Sequence, residues 1–478
     1  MENKRSSFSG QLGFIIAAAA SAVGLGNIWR FPYLAAGDEG GIFIFVYIIL
    51  TLTFGFTLLT TEIAIGRKTK QSPLTAYKKL HKGYGFIGLL ACIVPTIILP
   101  YYCSIGGWVF KYLSLYVTNK SHIAVDSQYF NSYIGGTWQP IIWMLVYFGI
   151  TAFIVISGVE KGIEKFSKVL MPILVVMIIG ISVFSLTLKH EGIDAEGNTF
   201  VRTGIQGLKV YLVPNFKNVT PQFMLKVIMD AMGQLFFSIS VAMGIMVAYG
   251  SYAKDDTNLI KSINQIEIFD TAIALLAGLM IVPAVYTFRG MEGMDGGPGL
   301  IFKSLPIVFD AMGVAGKFIG ALFFIIVSFA AVTSSVSVME AIVSSLMDAL
   351  HLSRIKSSII VTVYTLVTGV LVCLGYNKLL FTLNLPNGSE AQLLDVMDYI
   401  SNYIIMPLVA FSESILVGWV IKPDMIIAEI TGGKLKFSRK GLYVVMIKFI
   451  VPILLLILLL NSFGLVNKFI EFLNTFGK

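Results

Sequence analysis

Apolar runs of about twenty residues recur along the whole of this 478-residue chain, and no other feature restricts its fold as much. A helical run of that length matches the hydrocarbon core of a bilayer. With 56% of residues hydrophobic and 13% charged, a water-soluble domain could not cover its own apolar surface. The chain therefore reads as an all-α polytopic membrane protein. Its first ten residues, MENKRSSFSG, are polar, and the first apolar run is too long for a signal peptide, so no cleavable signal is expected.

Eleven spans are expected, near 11–36, 41–66, 88–117, 140–157, 167–188, 222–252, 263–286, 316–349, 357–375, 393–420 and 441–464. With the N-terminus in the cytoplasm, the inside segments hold roughly twice as many Lys and Arg as the outside ones, and the opposite orientation reverses the bias. The expected location is thus the plasma (inner) membrane, N-terminus cytoplasmic and C-terminus extracellular. The net charge of +8 falls between spans, so it reports topology and implies no nucleic-acid partner. Cys92, Cys103 and Cys373 lie in apolar segments without metal or disulfide spacing, and the four histidines are scattered. No nucleophile–base pair, phosphate loop or metal cluster stands out, so the chain is not read as an enzyme.

The first span is oddly composed. AASAVGLGNIWRFPYLAA (19–36) carries two glycines, an asparagine, an arginine and a proline at membrane depth. Unpaired backbone in hydrocarbon costs several kcal/mol, so irregular backbone persists only inside protein or against a polar cavity. Gly24 and Gly26 weaken the helix, Asn27 offers a side-chain carbonyl, and Arg30 needs water or a carboxylate. Pro32 is expected to end the regular helix. A second irregular span, QLFFSISVAMGIMVAY (234–249), places Ser238, Ser240 and Gly244 at mid-membrane. Discontinuous helices in corresponding positions of two halves mark a transporter site, with half-helix N-termini for anions and freed carbonyls for cations. In the eighth span, Thr333, Ser334 and Ser335 form a run of hydroxyls. Alone each would bond back to its own helix. Together they suit a small hard cation.

These motifs resemble the neurotransmitter:sodium symporters, in particular their bacterial amino-acid branch with the leucine-transporter fold. The resemblance covers residues 5 to 460 and rests on SAVGLGNIWRFPYLA, on Gly66, Arg67, Pro73, Ala76 and Tyr77, on GQLFFSIS, GPGLIFKSLP and TSS. It implies eleven transmembrane helices with discontinuous helices 1 and 6, and a 5+5 inverted repeat within a single transporter domain, 1–478. The first repeat is 11–188, the second 222–420, and the additional span 441–464.

The resemblance also implies two sodium sites. The first would use Ala22, Asn27, Ser238 and a polar residue in span seven, completed by the substrate carboxylate. The second would use the carbonyls of Ala20, Val23 and Ala330 with the hydroxyls of Thr333 and Ser334. Substrate would meet Ser21, Ala22, Gly24, Gly26, Ile98, Tyr102, Phe237, Ser238, Ser240, Met243, Ser334 and Val338. Gly24 stands where monoamine transporters carry aspartate, which implies a substrate bearing its own carboxylate, an L-amino acid. The mainly apolar lining favours a hydrophobic or aromatic side chain. An acid within a span calls for a cation; Asp270 either coordinates the first sodium or supplies the charge that chloride gives animal relatives. Chloride is not expected to be required.

The extracellular gate implied by the resemblance comprises Arg30, Gln234 and Asp398, with Asp398 as the partner of Arg30 and Phe237 as a lid. The intracellular gate comprises Arg5, Phe8, Tyr252 and Asp348. Glu62 and Glu413 would hold the unwound helices or carry a proton. Phe8 replaces a usual tryptophan, Gln11 a usual arginine, Ala242 a glycine and Asp38–Glu39 an asparagine–glycine pair. The function expected is sodium-coupled import of a hydrophobic or aromatic L-amino acid by alternating access. The alternative is a transport-dead sensor with a weakened inner gate. The lipid-facing surface could support a homodimer.

Overall fold

The computed structural model describes residues 7–38, 40–193, 199–216, 219–294, 296–386 and 388–466. Among the described residues, nine helices are each long and apolar enough to cross a bilayer: Gly41–Thr69, Lys82–Val117, Trp138–Ile156, Val159–Leu186, Leu259–Arg289, Val314–Leu350, Arg354–Leu374, Leu393–Val420 and Lys440–Ser462. The pair Gln11–Ala22 and Gly26–Gly37, bent by 51° at its break, makes ten. The expected sixth span is two shorter helices, Pro221–Ser238 and Ile245–Tyr252, which length and apolarity do not join into one. Spans are numbered 1 to 11 below in chain order, this broken pair being span 6.

Span 1 breaks because its hydrogen-bond ladder is diverted. Val23 is extended, with φ −78° and ψ 93°, and the Gly24 N–H donates to Asn27 Oδ1 at 3.2 Å. A wide π-helical turn, Gly26–Arg30, follows. Pro32 sits at the start of the last segment, Phe31–Gly37, where a missing N–H is least costly. It therefore opens a helix rather than ending one, contrary to expectation.

Span 6 breaks through backbone conformation. Ser240, Ala242 and Gly244 have φ of 54°, 60° and 74°, and only the last is free of a Cβ penalty, which is about 1–2 kcal/mol for the others. The segment is held from outside. Glu62 Oε1 on span 2 accepts from the Ala242 N–H, and Ser240 Oγ donates to the Ser21 carbonyl at 3.1 Å.

The packing positions these two breaks together. The first half of span 1 lies against spans 5, 7 and 8, the second half of span 6 lies along span 2, and span 8 runs along span 3. A single apolar core connects them. On spans 4 and 9 the outward residues Phe153, Val363 and Val367 are exposed, as a lipid-facing surface requires. Between spans 5 and 6, strands Lys189–Ile193 and Thr199–Thr203 form an antiparallel hairpin. It leads into helix Gly204–Leu212, capped by Thr203 and Gln206.

Candidate functional site

Three polar side chains converge where the span 1 break meets spans 6 and 7. Asn27 Nδ2 donates to Ser238 Oγ at 2.9 Å and to Asp270 Oδ1 at 2.8 Å. Ser238 Oγ donates to Asp270 Oδ1 at 2.7 Å, and the Tyr47 hydroxyl lies 3.3 Å from Ser238 Oγ. Asn27, Ser238, Asp270 and Tyr47 are all fully buried. Asp270 is thus a buried carboxylate surrounded by neutral donors, with no basic residue bonded to it among the described residues. A carboxylate so placed favours a small cation nearby. Asn27 turns its amide nitrogen toward Asp270 and its oxygen toward Gly24, so the oxygen set expected of a sodium ligand is here tied up in hydrogen bonds.

The second cluster lies between span 1 and span 8. Ser334 Oγ donates to the Ser21 carbonyl at 3.2 Å and reaches that of Val23 at 3.5 Å. Thr333 Oγ1 bonds back to Phe329 and Ala330 at 3.0 and 3.1 Å. Ala20, Val23 and Ala330 are buried beside them. The hydroxyl run divides as helical geometry demands. Ser335 points away, accepting from Tyr147 at 2.9 Å and meeting Thr151 at 2.8 Å, so it belongs to the contact with span 4.

Between the two clusters is a narrow cavity of ≈ 20 Å³ lined by Ser21, Gly24, Ile98, Tyr102, Phe237, Ser240, Met243, Ile245, Ser334 and Val338. Nine of these are substrate residues expected from the sequence. Ile245 was not expected, and Ala22, Gly26 and Ser238 do not line it. The glycines are required by close approach: a Cβ on Gly24 would lie 2.6 Å from Ser334 Oγ, and one on Gly26 would lie 2.5 Å from the Phe237 ring. The Leu25 N–H reaches the Tyr102 hydroxyl at 3.5 Å, so the start of the half-helix and a phenol face the same space.

Toward the hairpin side, Arg30 Nη2 donates to the Tyr403 hydroxyl at 3.1 Å, with its guanidinium 5.7 Å from that ring. Asp398 instead accepts from Tyr101 at 3.0 Å and from Asn402 at 2.6 Å. Arg30 and Asp398 do not form the direct ion pair expected, because aromatic and amide groups one turn away take up each of them. Gln234 Nε2 donates to the Gly26 carbonyl at 3.0 Å, tying span 6 to the break in span 1.

On the opposite side, Phe8 is buried edge-on to Tyr249 and Tyr252. Its N–H donates to the Tyr252 carbonyl at 3.2 Å. Phenylalanine thus fills the place expected for tryptophan. Tyr252 donates to Glu340 at 2.6 Å, and Glu340 is paired with Arg354 at 2.7 Å. Asp348 accepts from the Ser72 N–H at 2.6 Å. Arg5 lies outside the described residues. Ser9 is also held, its N–H donating to Glu164 Oε2 at 2.8 Å and its carbonyl accepting from Lys254 at 2.9 Å. Sequence reasoning missed Glu340 and Glu164, although an acid inside the run VSVMEAIV is itself a signal.

A central cavity between two interrupted spans, closed by polar and aromatic groups on both sides, is the architecture of a membrane transporter and not of an enzyme. The comparisons agree. The model of the sodium:neurotransmitter symporter family matches residues 5–133 and 130–472. An uncharacterised sodium-dependent transporter of Bacillus subtilis, YhdH, is 32% identical over 486 residues, covering 98% of this chain and 99% of its own. A similar transporter of Haemophilus influenzae is 30% identical over 474 residues, covering 96% and 98%. The crystal structure of MhsT in complex with L-phenylalanine superposes with a TM-score of 0.83 at 31% identity, covering 96% of this chain and all of that one. The chain belongs to the sodium:neurotransmitter symporter family.

Proposed function

We propose that this protein is a sodium-coupled symporter that imports a hydrophobic or aromatic L-amino acid by alternating access. The observation that carries the reading is the cavity at the junction of the two breaks, whose wall shares Ser334 with the cluster of span 1 carbonyls. The likeness to a transporter solved with L-phenylalanine supports the substrate class. Gly24, Leu25 and Tyr102 would receive the substrate carboxylate. Ile98, Met243, Ile245 and Val338 would enclose its side chain, and Phe237 would cover it.

Sodium would bind at Ala22, Asn27, Ser238 and Asp270, and again at Ala20, Val23, Ala330, Thr333 and Ser334. At the first site, Asn27 exchanges its hydrogen bonds for ligation as the ion enters. Asp270 supplies a fixed negative charge, so chloride is not required. Each sodium crossing 100 mV contributes about 2.3 kcal/mol, and two together would accumulate substrate more than about a thousandfold. The packing of Phe8 and the bond of Tyr252 to Glu340 support a working inner gate, which weighs against the sensor alternative. The two five-span units act as inverted repeats, the N-terminus lies in the cytoplasm, and the exposed face of span 9 is available for a homodimer.

The test is uptake of a panel of radiolabelled L-amino acids into proteoliposomes under an inward sodium gradient, with potassium replacing sodium as the comparison. Sodium-dependent accumulation of an apolar amino acid is expected, with and without chloride. Binding without accumulation would establish the sensor, and absence of sodium-dependent binding for every panel member would refute the pocket.

A further inference from the structure

On the face of the protein opposite the hairpin, the start of span 7 and the turn before span 11 border an open groove of ≈ 310 Å³. Its polar lining includes Lys261, Asn264 and Gln265 from span 7 and Lys436 from the turn, and it contains no acid. The ammonium groups of Lys261 and Lys436 have no partner among the described residues, and Asn264 gives its carbonyl oxygen to Arg439. The nearby acid, Glu267, is buried and already paired with Arg439 at 2.7 Å. The groove therefore presents donors and positive charge with no acid among the described residues bonded to them, which is the chemistry of an anion site.

The surface leading away from the groove says which kind of anion. Positions 261, 265, 268 and 272 are the exposed stripe of span 7, spaced at i, i+4, i+7 and i+11 on one helix face. Along that stripe Lys261 and Gln265 give way to Ile268, 65% exposed, and Ala272. Leu435, 43% exposed, forms an apolar lip beside Lys436. From 261 to 272 the helix rises about 16 Å, about half of a hydrocarbon core of roughly 30 Å. The apolar part, Ile268 to Ala272, begins about 10 Å from Lys261 along the helix. A charged end is thus followed within one leaflet by apolar surface, which matches a phospholipid, whereas a free phosphate would use only the charged end.

We propose that this groove binds an anionic phospholipid, its phosphate between Lys261 and Lys436 and an acyl chain along Ile268 and Ala272. The lipid would bridge the turn before span 11 to span 7, the helix that carries Asp270.

The test counts bound lipid by native mass spectrometry of the full-length protein in detergent, titrated with phosphatidylglycerol or phosphatidylcholine. Wild type should retain phosphatidylglycerol in preference. Lys261→Gln/Lys436→Gln should weaken that binding about thirtyfold, the effect of two cationic contacts. Lys434→Gln/Lys440→Gln, which removes the same charge outside the groove lining, should change it by less than about twofold. Should the first double variant not fold, the single variants Lys261→Gln and Lys436→Gln, each expected to lose about fivefold, carry the same comparison. Equal losses in both double variants would reduce the effect to bulk attraction and overturn the site. Equal binding of phosphatidylcholine, or displacement of the lipid by millimolar inorganic phosphate, would overturn the lipid assignment.

Discussion

Tyr403→Phe deletes one oxygen, the atom that accepts from Arg30 Nη2 at 3.1 Å, and leaves the ring 5.7 Å from the guanidinium carbon. A hydrogen bond to a charged group contributes about 1.5–3 kcal/mol, whereas the ring's attraction for the cation, about 0.5–1 kcal/mol, survives in phenylalanine. The variant should therefore release bound amino acid about tenfold to a hundredfold faster, with its sodium activation unchanged. A double-mutant cycle separates the two accounts of this gate. Arg30→Ala with Tyr403→Phe should show a coupling of at least about 1 kcal/mol, and Arg30→Ala with Asp398→Asn a smaller one. The measurement is dissociation of radiolabelled substrate from purified protein. Additive effects for the first pair, or a larger coupling for the second, would refute the assignment of Tyr403 as the partner of Arg30 and restore the direct ion pair.

Asp270→Asn should lower apparent sodium affinity at least about tenfold in chloride-free medium, with partial recovery on adding chloride. Transport that ignores both changes would remove Asp270 from the ion site. Gly24→Ala places a methyl group 2.6 Å from Ser334 Oγ, and equilibrium binding should show substrate affinity falling at least about tenfold, since the Ser334 hydroxyl must shift within a packed interior where it lines the cavity. Burial raises the Asp38 carboxyl from 3.8 to about 6, although Lys226 bonds to it and opposes the rise. The folded protein thus holds this proton more tightly than the unfolded chain. Stability should fall as pH rises from about 4 to about 6 and level off above, and Asp38→Asn should flatten that slope in thermal unfolding.

The breaks were legible because they are local. Glycines two apart, an asparagine beside them and an arginine at membrane depth can be seen within a dozen residues, whereas the residues expected to face the cavity came from the family resemblance. The resemblance supplied the pairing of these segments across the chain. What remained hidden depends on contacts made over long separations. Tyr403 meets Arg30 from 373 residues away, and no local pattern distinguishes it from the tyrosine at 399. The backbone of Ser240 and Ala242 was equally hidden, because residues with a Cβ rarely take positive φ and only the grip of Glu62 and the Ser21 carbonyl holds them there. Asn27 was expected to turn its oxygen to an ion, and the proximity of Asp270 turned its nitrogen that way instead. Ten of the eleven expected spans stand out among the described residues by length and apolarity, and the sixth does not, because its first half, Pro221–Ser238, carries Lys226, Asp230 and Gln234 and its second half, Ile245–Tyr252, is only eight residues long.

The Ser334 hydroxyl belongs to two neighbourhoods at once, donating to span 1 carbonyls on one side and lining the cavity on the other. Any occupant that draws this hydroxyl away from Ser21 changes the surroundings of the other occupant. Thermodynamic linkage makes such an influence reciprocal, by the same factor in both directions. If sodium sharpens affinity for the amino acid, the amino acid must retain sodium equally well. A substitution that merely reshapes the pocket will therefore also appear as altered sodium dependence, even when every residue that touches the ion is unchanged.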